Sequence, residues 1–396
     1  MIETITNHLQ KFDFDVRKSK DARFMDQKVT PDVISVVAEC VLEFLGDDTQ
    51  KEFTKNDIWH SDYASEIIPS TFNKPPLDEP KAKKEYNKFF NQPLRALAYG
   101  KVLKLEKRGT TNYFKVQKVD ILNFIASRER NAIIYLNKYL QKIISDSGLK
   151  PAFDEFFEKQ NKNSLNNLRH ILHTFLIDNT GINRPDEPPR IYNKIINILA
   201  FNKKVKGTTR GSVSKIILTI EEIRYNRVNW RDIGKDKSIT RQEFSKLLEK
   251  QSDLTGFYKY SVQKAKKFVR KLHSISEIHR FEQYPGLQAH HIFMESEFPQ
   301  IADSPENIII LTPNQHFYRA HPNNKTSIVD KKYQAICLIS KLDSIEINNR
   351  AGQIDYSIEE FVHVLNVGFE TDYFNTGMDY EEIKHQIINF TYAKAC

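Results

Sequence analysis

Residues 288–322 read QAHHIFMESEFPQIADSPENIIILTPNQHFYRAHP and hold four of the chain's twelve histidines. His290 and His291 sit in LQAHHIF, a short apolar run suited to a strand, on which neighbouring side chains point to opposite faces. The two imidazoles therefore need different partners. A loop with Pro299, Asp303 and Pro305 leads into ENIIILT, whose β-branched residues predict a second strand. Thr312 and Pro313 have the form of a helix start, and NQHFYRAH would continue as a helix to Pro322. The expected local order is strand, loop, strand, helix, with a histidine pair on the first strand and His316 and His321 on the helix.

Imidazoles in such a group suit metal chemistry. A neutral ring binds a divalent ion, and a neighbouring ring with a pKa of about 6.5 can deprotonate water near neutrality. The order and the residues together resemble the HNH, or ββα-metal, endonuclease motif, most closely the version seen in nuclease colicins and several restriction enzymes. The resemblance covers about 35 of 396 residues. It implies that His290 is a metal ligand, that His291 is the general base, that Asn307 holds the loop orienting His291, and that His316 and His321 complete the site. One divalent ion is implied: magnesium in cells, with manganese, nickel or zinc accepted by an imidazole-rich site.

One departure from the colicin-like pattern bears on the third ligand. The last two ligands lie four apart in that pattern, whereas His316 and His321 lie five apart, which turns them about 140° from each other on an ideal α-helix. His321 then serves only if the helix ends or unwinds just before Pro322; otherwise Asn314 or water takes the position. Arg319 is either a contact to the scissile phosphate or half of a surface ion pair. His60, His170, His173, His363 and His385 read as ordinary polar residues, and His273 and His279 lack the motif's local context.

The N-terminal part carries a different pattern. Thr30 and Pro31 introduce DVISVVAECVLEFLG, with Val33, Val37, Val41 and Phe44 at helical spacing. Thr54 and Asp57 have capping-box spacing ahead of a second helix, and KAKKEYNKFFNQPLRALAYGK predicts a third, kinked or restarted at Pro93. KVLKLEKRGTTNYFKV then alternates about a turn, as a two-stranded hairpin does. Three helices followed by a basic hairpin is the order of a winged helix-turn-helix, with Lys101, Lys104, Lys107, Arg108, Lys115 and Lys118 able to lie along a DNA backbone. A winged helix that binds protein is the other reading. MDQKVTPD superficially suggests an acidic-lysine nuclease site, but its order is reversed and Pro31 is better explained as a helix start.

Residues 119–148 predict one long helix, a connector or dimer element, and NRPDEPPR at 183–190 marks a boundary. FNKKVKGTTRGSVSK offers Lys203, Lys204, Lys206, Arg210 and Lys215 as a flexible phosphate-contacting loop or a solvated linker. FYKYSVQKAKKFVRK, just before the histidines, interleaves six basic residues with aromatics. The stretch around Trp230 takes no role from its residues.

Net charge is +8, yet residues 351–396 hold eight acidic and two basic side chains, so the remainder carries the whole positive excess. That distribution suits a polyanion binder, and equally a lysine-rich solvated surface. No long apolar run predicts a membrane span, the start lacks a secretory pattern, and Cys40, Cys337 and Cys396 stand too far apart for a zinc knuckle, which together predict a cytoplasmic chain.

The expectation is a mainly α (α+β) protein: a winged-helix-like domain over 1–125, a helical connector over 126–255 and an HNH nuclease domain over 256–396. By the resemblance it is a type II restriction endonuclease cutting double-stranded DNA, with a cognate methyltransferase as genetic partner. A chain with one site needs two nicks, which implies a homodimer or two binding events. A less specific HNH nuclease of a toxin or phage-defence system, and a non-catalytic winged-helix regulator, are the alternatives.

Overall fold

The computed structural model describes residues 1–72, 74–225, 255–278, 285–286, 288–321 and 329–393. Trp230 and most of its polar stretch, His279, Pro322 and Cys396 lie outside them. The described chain is mainly helical, with small antiparallel sheets, and divides into two compact units, Met1–Phe257 and Tyr258–Cys396. No described helix is long and apolar enough to cross a membrane.

The first unit is built around α1 (Pro31–Leu45), whose Val33, Val37 and Val41 are fully buried. Thr30 stands at its N-cap and Pro31 in the first turn, where a missing N–H costs nothing. The short strand β1 (Phe53–Thr54) leads into α2 (Lys55–Trp59) through a capping box in which Thr54 and Asp57 each take the other's backbone N–H. Next come α3 (Asp62–Thr71) and α4 (Lys83–Tyr99). The last runs unbroken through buried Pro93, so the expected kink or restart does not divide it. Strands β2 (Leu103–Arg108) and β3 (Thr111–Val116) form the expected hairpin, and β1 joins β3 to complete a three-stranded sheet in the order β1-β3-β2.

The long helix expected over 119–148 is two helices, α5 (Val119–Ser127) and α6 (Glu129–Asp146). They part at Arg128, whose backbone is extended at φ −162° and ψ 153°. The break lets both apolar faces pack on α1 and on each other. Tyr135, Leu136, Tyr139 and Leu140 are fully buried there, so α6 is a core element of the first unit rather than an exposed connector. The boundary expected at residue 125 accordingly falls inside α5, and residues on both sides of it belong to one unit.

The basic stretch after the helix α7 (Pro188–Asn202) is also more ordered than a flexible loop. It forms a small hairpin of β4 (Thr208–Thr209) and β5 (Ser212–Val213). Arg210 and Gly211, with φ of 52° and 79°, make the left-handed turn that a two-residue hairpin requires. Asn197 ties it down, its amide donating to the Thr208 carbonyl at 3.0 Å and its oxygen accepting the Thr208 N–H at 2.8 Å.

In the second unit, β6 (Gln288–His291) and β7 (Ile308–Leu311) pair antiparallel, with His290 opposite Ile309 and His291 opposite Ile308. All four residues of β7 are fully buried, because the strand is covered on both faces. Ile308 and Ile310 meet Ala265 and Val269 of α8 (Thr255–Leu272). Ile309 and Leu311 join the main core with Leu338 and Leu342 of α9 (Lys331–Arg350) and Phe361 and Leu365 of α10 (Ile358–Phe369). The continuous apolar run of β7 is the pattern of a strand with two covered faces.

Candidate metal centre and nucleic-acid interface

His290 shares a face with Ile309 and His291 shares one with Ile308, so the adjacent imidazoles point apart as a strand dictates. His290 is 4% exposed and meets the His316 and His321 rings at centroid distances of 5.2 and 5.0 Å. His316 and His321 are 4.9 Å apart by the same measure. One nitrogen from each of the three rings lies within 4.8 Å of the others.

The five-residue spacing is accommodated by the backbone. Residues Gln315–Ala320 form a π-helix, and the N–H of His321 donates to the carbonyl of His316 at 3.2 Å. An i to i+5 hydrogen bond stacks residues five apart, which brings His321 back over His316. His321 itself is the C-cap, in extended conformation. The condition that the helix depart from α geometry is thus met, along the whole turn rather than only at its end. Asn314, the alternative to His321, is exposed at the start of the helix. Gln315 fixes that start: its side-chain oxygen accepts from the Thr312 N–H at 2.9 Å and from the Ser276 hydroxyl at 2.6 Å.

The donor set fits a divalent ion. Burial, first of all, holds the His290 ring well below its usual pKa, and the neighbouring histidines add to the effect. Burial lowers His316 too, so both rings are neutral at pH 7, the form that can coordinate a metal. The Nδ1 of His316 is buried and makes no hydrogen bond. An orphaned buried nitrogen on a ring packed beside two other imidazoles is a cost unless something coordinates it.

His291 is held separately. Its Nε2 lies 2.9 Å from the Ala302 carbonyl, which can only accept, so Nε2 carries the proton and Nδ1 keeps its lone pair. The Glu295 carboxylate lies 3.6 Å from that Nδ1. Burial and then the Lys266 ammonium lower the ring's pKa, against the Ala302 bond and Glu295, which raise it. Asn307, fully buried, accepts from the Phe293 N–H at 2.9 Å and donates to the carbonyls of Phe293 and Ile301 at 3.0 and 3.3 Å. It therefore clamps the residues just after His291 to the residue preceding Ala302.

Two parts of this frame gave no signal in the sequence. Glu277 accepts from the Ile310 N–H at 2.9 Å and from Lys341 at 2.8 Å, bracing β7 from below. His273, for which no role was expected, donates to or accepts from Tyr356 at 2.8 Å in the same network. The separations, 33 residues from Glu277 to Ile310 and 64 to Lys341, leave no local pattern to read.

The expected nucleic-acid contacts divide. Lys101, Lys104 and Lys107 are exposed on or beside β2. Arg108 is instead committed, bonding Glu52 twice at 3.0 Å and Glu106 at 2.8 Å. Lys203, Lys204, Lys206 and Arg210 are all exposed before and around the β4–β5 hairpin, and Lys203 also lies over the Phe157 ring at 5.7 Å. Arg319 is exposed on the π-helix and has no ion pair among the described residues. Lys83, Lys84 and Lys88, not singled out from the sequence, are exposed on the first half of α4. No known protein family, curated protein or solved structure matches the chain.

Proposed function

We propose that the protein is a metal-dependent endonuclease of the HNH type that cuts duplex DNA, with the histidine cluster as its active centre. The convergence of His290, His316 and His321 on one point, beside an independently held His291, is the observation that carries this reading. A divalent ion bound by the three histidines would supply charge stabilisation at the scissile phosphate.

The chain's own residues account for the proton. His291 takes it from water at Nδ1, and the Ala302 carbonyl keeps the ring in the tautomer that leaves this nitrogen basic. The resulting imidazolium has Glu295 beside its new N–H and Ala302 beside the other. Asn307 positions the loop that supplies Ala302, which makes it a positioning residue.

The first unit supports recognition of duplex DNA. Helices followed by a hairpin, with β1 added to the hairpin's second strand, is the order of a winged helix, and α4 with β2 presents lysines to solvent. This favours a sequence-specific enzyme, in the manner of a cytoplasmic type II restriction endonuclease with a cognate methyltransferase, over an indiscriminate nuclease. Two nicks per duplex call for a homodimer or for two binding events.

Digesting a supercoiled plasmid with the purified chain and magnesium, manganese, nickel or zinc tests the proposal. Discrete fragments are expected. A smear would point to the less specific nuclease, and uncut plasmid with every metal would overturn the enzymatic reading in favour of a DNA-binding regulator.

A further inference from the structure

Helix α8 (Thr255–Leu272) contains six lysines and arginines and no acidic residue. At about 100° per residue, Lys259, Gln263, Lys266, Lys267 and Arg270 fall within an arc of about 100°. Val262, Ala265 and Val269 are buried on another side of the helix, two of them against β7. Lys259, Gln263, Lys267 and Arg270 are exposed. Neither Lys259 nor Arg270 has an ion-pair partner among the described residues.

The stripe leads to the histidine site. Lys266 is more enclosed than its neighbours, at 20% side-chain exposure, and its ammonium lies 3.8 Å from Glu295, the carboxylate that stands 3.6 Å from His291 Nδ1. A solvated face would place its charges without regard to the site and would mix signs. Here a single sign runs along one line of the helix, and Lys266, in its middle, reaches the carboxylate beside His291.

We infer that this face of α8 is the track along which a phosphodiester backbone reaches the active centre, with Lys259, Lys266 and Arg270 contacting phosphates along it. The inference deepens the nuclease reading and rests on it for the direction of the track. Cations of one sign along one face suit a polyanion, and the burial of the helix's apolar side removes the surface an amphipathic helix would need to enter a lipid headgroup layer.

The test reads binding apart from cutting. The full chain is titrated with a fluorescein-labelled duplex in EDTA over a series of salt concentrations. Alongside it run the variant Lys259→Gln/Lys266→Gln/Arg270→Gln and a control, Lys331→Gln/Lys332→Gln, on exposed positions of the same unit. Each lost phosphate contact lowers the slope of log affinity against log salt by about 0.9, so the triple variant should lose about 2 to 3 units and bind at least about tenfold more weakly at fixed salt. The control should follow the wild type.

A slope unchanged in the triple variant, an equal loss in the control, or wild-type binding to anionic vesicles as tight as to duplex would each overturn the inference. Lys259→Gln/Arg270→Gln, at two exposed positions, carries the test if the triple variant does not fold. The two readings fail differently: a chain that never cuts plasmid but whose triple variant loses duplex binding keeps the track and loses the nuclease. A chain that cuts normally with the stripe neutralised does the reverse.

Discussion

Two of the antiparallel strand pairs among the described residues, β2–β3 and β6–β7, are of opposite character. In β2–β3 the outward side chains Lys104, Glu106, Lys107 and Arg108 stand in water, and the Arg108 pairs are about half exposed. In β6–β7 one strand is fully buried, and several buried polar groups near it are held by named partners: His291 by Ala302, Asn307 by Phe293 and Ile301, Glu277 by Ile310 and Lys341. Exposed polar groups act one at a time because water replaces whatever is removed. Buried ones act as a frame, since deleting one leaves others unsatisfied. Substitutions in the two hairpins should therefore differ in kind as well as size.

The largest effect is expected at His291. Its replacement by alanine removes the proposed general base, and single-turnover plasmid cleavage should fall by about 10²- to 10⁴-fold. Duplex affinity and metal content should stay at wild-type values, because neither the proposed track nor the three proposed ligands include this ring. Cleavage within tenfold of wild type would break the assignment.

Glu277 tests the frame itself. Burial pushes its carboxyl up, but the Lys341 ammonium, His273 and the bonds from Lys341 and the Ile310 N–H outweigh burial and hold it below the usual glutamate range. Glu277→Gln takes the facing carboxylate away from the charged, fully buried Lys341, a loss expected to cost about 3–5 kcal/mol in a denaturant titration. The sign with pH follows from the lowered folded-state value. The carboxylate's contribution is complete above the unfolded pKa of about 4.3 and is lost as pH falls through the lower folded one. Wild type should lose stability with acid more steeply than Glu277→Gln below about pH 4.5. Parallel acid curves would show that Glu277 is not the linked group.

Asn307→Ala should be milder in stability and sharper in specificity of effect. It leaves the Phe293 N–H and carbonyl without their partner, while the Ile301 carbonyl keeps the Ser304 N–H, a loss worth about 2 kcal/mol if water reaches part of the gap. It should also loosen Ala302, so cleavage falls while the metal stoichiometry holds. A drop in bound metal in step with activity would mean that Asn307 shapes the ligand cluster instead.

How far such a frame can be read from sequence depends on the range of its contacts. The strand pair, the Thr54–Asp57 capping box and the β2–β3 hairpin are local, and their residue types announce them. The histidine spacing was legible as a problem but its solution was not, because nothing in NQHFYRAH marks a π-helix apart from the need to bring residues five apart together. Arg128 gives no warning of a helix break, which arises from packing both α5 and α6 on α1. Glu277 and Lys341 are ordinary charged letters until a fold places them in a core.

The exposed hairpin supplies the smallest effect and the sharpest internal contrast. Lys104→Gln and Lys107→Gln remove cations that face solvent, so each should lower the salt slope of duplex binding by about 0.9 if the hairpin follows a backbone. Arg108→Gln should change the slope less than either, because its guanidinium already serves Glu52 and Glu106 and would have to leave both to reach a phosphate. None of the three should shift the melting temperature, since water solvates what is left behind. Equal slope losses at Lys104, Lys107 and Arg108 would mean that the carboxylate pairs open on binding. No loss at any of them would mean that this hairpin faces solvent in the complex and that the exposed lysines of α4 carry the contact alone.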